Sequence, residues 1–132
     1  MSASTNNSTG SSIELPSELE PVAVVLREWA STRHFILRIY VYGSRLKQTH
    51  RPDSDLDVAM EFEPAGIDLD CFTTWVGDAK KWRRQLQPLL PAVLHLEWHD
   101  TNGKTPHVSQ WLRDASCVVY ERESDPRQCV TR

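Results

Sequence analysis

From Leu19 the chain takes on a helical rhythm, with Leu19, Val22, Leu26 and Trp29 spaced three and four residues apart on one face. The stretch from Pro16 to Pro21 can start that helix, with Ser17 or Glu20 near the cap and proline tolerated in the first turn. His34 to Gly43 reads as a strand, β-branched and aromatic and apolar on both faces, as expected near the middle of a sheet. From Leu56 the period falls to two. Leu56, Val58, Met60 and Phe62 share one face of a second strand, and Asp57, Ala59 and Glu61 share the other. A helix follows over about Asp70 to Leu86, with Phe72, Trp75, Val76, Ala79, Trp82 and Leu86 as its apolar stripe. In a third strand, Ala92 to His99, Leu94, Leu96 and Trp98 point one way and His95, Glu97 and His99 the other. A short helix on Val108, Trp111, Leu112 and Ala115 and a last strand, Ser116 to Glu121, complete the pattern. The order α-β-β-α-β-α-β predicts a small mixed α/β (α+β) fold, a β-sheet flanked by helices.

The periodic region bounds one domain, residues 17–123, between a Ser/Thr/Asn-rich tail at 1–16 read as disordered and a flexible tail at 124–132. A chain of 132 residues suffices for one domain, and 39% hydrophobic residues can build a core without disulfides. The net charge of −3 argues against a generic nucleic-acid binder but leaves room for a small anion, whose charge a local cation can offset. Cys71, Cys117 and Cys129 show no metal-binding spacing, and the first two read as small buried hydrophobes. With no run of about 18 apolar residues and no secretory leader, the expected address is the cytoplasm and no membrane is involved.

The chemistry concentrates in the 22 residues from Val41 to Phe62. Asp55 and Asp57 stand two apart at the head of a strand, so both project from one face and repel each other. If the second and third strands run antiparallel, Glu97 arrives beside them, and three carboxylates converge on one spot suited to magnesium. Asp100, just beyond the third strand, is the alternative third acid. Gly43 allows close approach of a phosphate to the backbone, Ser44 adds a hydroxyl, and a short helix from Arg45 aims N–H groups at the anion. Arg45 itself either meets a phosphate or solvates a helix face. Lys47 and His50 lie within reach of a triphosphate in sequence, without the sequence deciding it. His95 and His99 read first as surface histidines, with an acceptor-orienting role as the alternative. Lys80 to Arg84 reads as a solvated face.

Gly43-Ser44, ten residues, then Asp55-Leu56-Asp57 resembles the signature of the minimal nucleotidyltransferases (MNT) of the DNA polymerase beta superfamily. The resemblance runs from about Leu19 to Glu121. It implies a polymerase beta-like nucleotidyltransferase fold, with Asp55, Asp57 and Glu97 as catalytic residues holding two Mg²⁺ ions. Gly43, Ser44 and Arg45 would bind the nucleotide. It further implies transfer of AMP from ATP to a tyrosine of a HEPN-domain partner, with the chain as the antitoxin of a HEPN/MNT toxin-antitoxin pair. Two alternatives stay open: a non-catalytic module that occludes its partner, and a nucleotidyltransferase acting on a small molecule or an RNA end.

Overall fold

The computed structural model describes residues 13–64 and 66–123. The elements are α1 (Glu20–Ser31), β1 (Ile36–Tyr42), α2 (Ser44–Lys47), β2 (Leu56–Phe62), α3 (Cys71–Leu86), β3 (Leu94–Trp98), α4 (Pro106–Asp114) and β4 (Ser116–Glu121), with 3₁₀ turns before α1 and after α3. The four strands form one mixed sheet in the order β3-β2-β1-β4. β1 pairs antiparallel with both β2 and β4.

β2 and β3 run parallel, with Asp57 opposite His95 and Ala59 opposite Glu97. This corrects the expected antiparallel pairing. The cause is the connection between them: α3 spans 16 residues and carries the chain back across the sheet, as a parallel crossover requires.

One sheet face is the main core. Leu56, Val58, Met60 and Phe62 of β2 and Leu94, Leu96 and Trp98 of β3 are buried against α1 and α3, through Val22, Leu26, Trp29, Trp82 and Leu86. Phe62 and Trp82 meet edge to face at 5.1 Å, an aromatic contact that adds to the area buried. The side chain of Asp70 caps α3 by accepting from Thr73 N at 2.8 Å. Phe72 and Val76 depart from their expected core positions. They are 54% and 66% exposed, although the Phe72 ring still lies 6.4 Å from that of Trp98, centroid to centroid. Lys80, Lys81 and Arg84 are exposed, as a solvated face should be.

The opposite sheet face carries Tyr40, Tyr42 and Ala59, and α4 lies against it through Val108 and Leu112. This smaller cluster leaves the rest of that face polar. Of the expected N-terminal tail, residues 1–12 lie outside the described residues, while Ile13 and Leu15 pack against the core and Ile13 N–H donates to Ser116 O at 2.9 Å. Residues 124–132, with Cys129, also lie outside them. Cys71 and Cys117 are free thiols, each half-buried, and Cys71 Sγ donates to Phe62 O. No helix among the described residues is long and apolar enough to cross a membrane.

Candidate active site

The polar face of the sheet is built from β1, β2 and β3 at alternate positions, so Tyr42, Asp57, His95 and Glu97 come to one region. Gly43 follows Tyr42, whose β2 partner is Asp57. Its backbone has φ +82°, and a Cβ built there would stand 2.1 Å from Asp57 Oδ2. The glycine is therefore required twice, once by the backbone angle and once by the carboxylate packed against it. The Gly-Ser turn and the second aspartate, fourteen positions apart in sequence, are one packed unit.

Four-residue α2 begins at Ser44, immediately beyond that contact. Arg45 does not point at an open anion site. Its guanidinium donates from Nε and Nη2 to Ser54 O, at 3.1 and 2.9 Å, and from Nη2 to Pro52 O at 3.2 Å. It thereby fastens the loop that carries Asp55, which is exposed just before β2. Lys47, at the end of α2, does line the cleft.

Asp57 and Glu97 are joined through His95. The imidazole Nδ1 lies 2.8 Å from Asp57 Oδ1 and its Nε2 lies 2.8 Å from Glu97 Oε2. Glu97 thus reaches the neighbourhood of Asp57 by sharing a strand face with His95, and not by the end-to-start convergence expected from an antiparallel pair. Among the described residues no three acidic, histidine or cysteine side chains are preassembled about a single point, because the imidazole stands between the two carboxylates. His95 is not the plain surface histidine expected. Nor is His99, whose Nδ1 meets Glu61 Oε2 at 3.1 Å. Alternation alone put both rings on the polar face; what it could not show was which acids they would meet.

Asp100 has a different role from the third acid considered for it. Its two carboxylate oxygens accept from Asn102 N and Lys104 N, and its own N–H donates to Thr105 Oγ1, so it caps the turn before α4.

Burial pushes the Asp57 carboxyl above its ordinary pKa, and repulsion from Asp55 and Glu97 adds to this, against the opposing pull of His95. Burial alone would lower the His95 pKa, but its two carboxylate partners outweigh that and raise it. The site thus holds excess negative charge in a partly desolvated place, which favours a bound cation. The donors are all carboxylate oxygens once the imidazole leaves, the chemistry a hard divalent ion takes. The His95 side chain is 42% exposed.

Beside these groups is a cleft of about 230 Å³ lined by Tyr42, Gly43, Lys47, Asp57, His95, Trp111, Asp114 and Ala115. Trp111 was expected in the core of α4; instead it is 38% exposed and forms a wall of the cleft, stacked on Tyr42 with centroids 5.9 Å apart. Tyr42, Trp111 and Asp114 were not anticipated as site residues, and only the fold brings α4 over the end of β1.

Residues 25–87 match the family model for polymerase beta nucleotidyltransferases. Over that span, just under half of its length, the chain resembles the polymerase beta-type nucleotidyltransferases. The matched span includes Gly43, Ser44, Asp55 and Asp57, whereas Glu97 lies beyond it and is placed by geometry alone. Among solved structures, the chain is similar to one from a crystal structure of a toxin-antitoxin with AMP-PNP. That match has 17% identity and a TM-score of 0.54, covering 86% of this chain and 82% of that one. It also resembles a candidate nucleotidyltransferase from Sulfolobus solfataricus, at 14% identity and a TM-score of 0.46, over 80% of this chain and 82% of that one. The first likeness agrees with the mixed sheet and flanking helices of this nucleotidyltransferase fold. No curated protein matches the chain.

Proposed function

We propose that this nucleotidyltransferase domain transfers AMP from ATP to a tyrosine hydroxyl of a HEPN-domain toxin, and so acts as its antitoxin. The observation that carries the nucleotide half of this reading is the packing of Gly43 on Asp57, which sets a turn that only glycine can make beside a partly buried carboxylate raised in pKa. The solved toxin-antitoxin structure with AMP-PNP supports the partner half by its fold.

In this reading Asp55, Asp57 and Glu97 hold two Mg²⁺ ions, Gly43 and Ser44 take the triphosphate, and Lys47 lends charge from the cleft wall. Arg45 contributes by holding the Asp55 loop rather than by touching phosphate. The metal, when bound, neutralises phosphate charge and acidifies the acceptor hydroxyl. The tyrosine oxygen attacks the α-phosphorus in line, the bond from that phosphorus to the bridging oxygen breaks, and pyrophosphate leaves with the electron pair. Glu97 takes the phenol proton. Positioning of the two reactants supplies much of the rate. Incubation with α-labelled ATP, Mg²⁺ and the HEPN protein should label that protein; an unlabelled partner would sink the proposal.

His95 between Asp57 and Glu97 favours a second reading, in which the site is kept closed and the domain neutralises its partner by occlusion alone. Protection that survives Asp55→Asn together with Asp57→Asn would support it over catalysis.

A further inference from the structure

Two buried side-chain polar atoms lack a hydrogen-bond partner among the described residues, Tyr42 Oη and His50 Nδ1. The first belongs to a residue that lines the cleft. Tyr42 is only 4% exposed, and its ring is fixed by Trp111 on one side and by the α4 cluster of Val108 and Leu112. A buried phenol with nothing to donate to destabilises the fold, so such a group is rarely kept without a use. Its neighbour Tyr40 shows the ordinary solution, with its hydroxyl donating to Glu61 Oε2.

We propose that the Tyr42 hydroxyl is a substrate-binding donor, whose acceptor is a phosphate oxygen of the nucleotide bound in the cleft. This rests on the nucleotidyltransferase reading of the site and adds a contact to it. A phenol is a neutral donor at neutral pH, and Asp57 and Glu97 lie near this one. Those same carboxylates are close enough to act on it electrostatically, yet neither accepts its hydrogen bond. An incoming anion held over Asp57 supplies an acceptor where the protein has left none. Lys47 on the same cleft adds the positive charge that such an anion needs. The hydroxyl is closed from solvent, so the cleft walls must give slightly for an anion to reach it. Trp111 and His95, both partly exposed, have solvent to move into.

Tyr42→Phe isolates the hydroxyl while keeping the ring and its stacking. Calorimetric titration of Mg²⁺ and AMP-PNP should show the dissociation constant raised about ten-fold or more, as for loss of a hydrogen bond to a charged group. Thermal unfolding of the ligand-free variant should show a midpoint equal to or above that of the wild type. Equal affinity in the two proteins would overturn the proposal. A lowered midpoint would overturn it as well, since the hydroxyl would then be satisfied within the fold. Wild-type protein that takes up no nucleotide would instead bring down the nucleotidyltransferase reading, and this contact with it.

Discussion

Gly43 ties the backbone of one strand end to the carboxylate of the next. A Cβ there meets Asp57 Oδ2 at 2.1 Å in a backbone conformation that side chains rarely adopt. Gly43→Ala must therefore displace either the turn or Asp57. We expect a stability loss of about 1–3 kcal/mol by urea titration. Transfer activity should fall by about 100-fold, the usual cost of moving a reacting group by an ångström. The Gly-Ser turn and the paired aspartates were legible in the sequence because their spacing is local. The clash that makes glycine obligatory was not, since it depends on the register of β1 against β2.

Among the elements, the loop between α2 and β2 delivers Asp55 to the site. Arg45 binds two of its carbonyls, at Pro52 and Ser54. Arg45→Ala should lower the turnover of labelled AMP by roughly ten-fold while shifting the free energy of unfolding by less than about 1 kcal/mol, because the bonds are partly exposed. An effect on nucleotide affinity alone would instead point to direct phosphate contact. Strand and helix positions followed from period: β2 falls on the residues that alternation picks out. Strand direction did not follow, since periodicity is blind to it. The parallel β2-β3 pair is what sets His95 opposite Asp57 and makes Glu97 a partner reached through the imidazole. The same limit hid Trp111, whose spacing matches a core stripe although α4 presents it to the cleft.

Across the whole molecule, the polar face of the sheet holds a second buried acid besides the active-site group. Glu61 receives hydrogen bonds from Tyr40, His99 and Arg38, and Arg38 also pairs with Glu121. Burial alone would raise the Glu61 pKa, but the His99 and Tyr40 hydrogen bonds and the Arg38 charge outweigh it and hold the carboxyl below its ordinary range. A carboxyl depressed in the folded state stabilises fully above its unfolded value, near about 4.3. That contribution is lost as pH falls through the folded value. Glu61→Gln should thus cost about 2 kcal/mol at pH 7 and progressively less below about pH 4, read from urea titrations across that range. A cost that is the same at both ends would remove the charge from the account.

Asp57 works in the opposite sense, its carboxyl raised by burial and by neighbouring acids, which is a strain on the fold that a cation relieves. The central claim is that this strain serves phosphoryl transfer. The measurement that meets it most directly is α-labelled ATP with Mg²⁺ and the HEPN partner, run with wild type and Asp57→Asn at matched folded concentration. The account predicts label on the partner with wild type and a loss of at least about 1,000-fold with Asp57→Asn, as when a principal electrostatic group of an active site is removed. Equal labelling by the two proteins would contradict it.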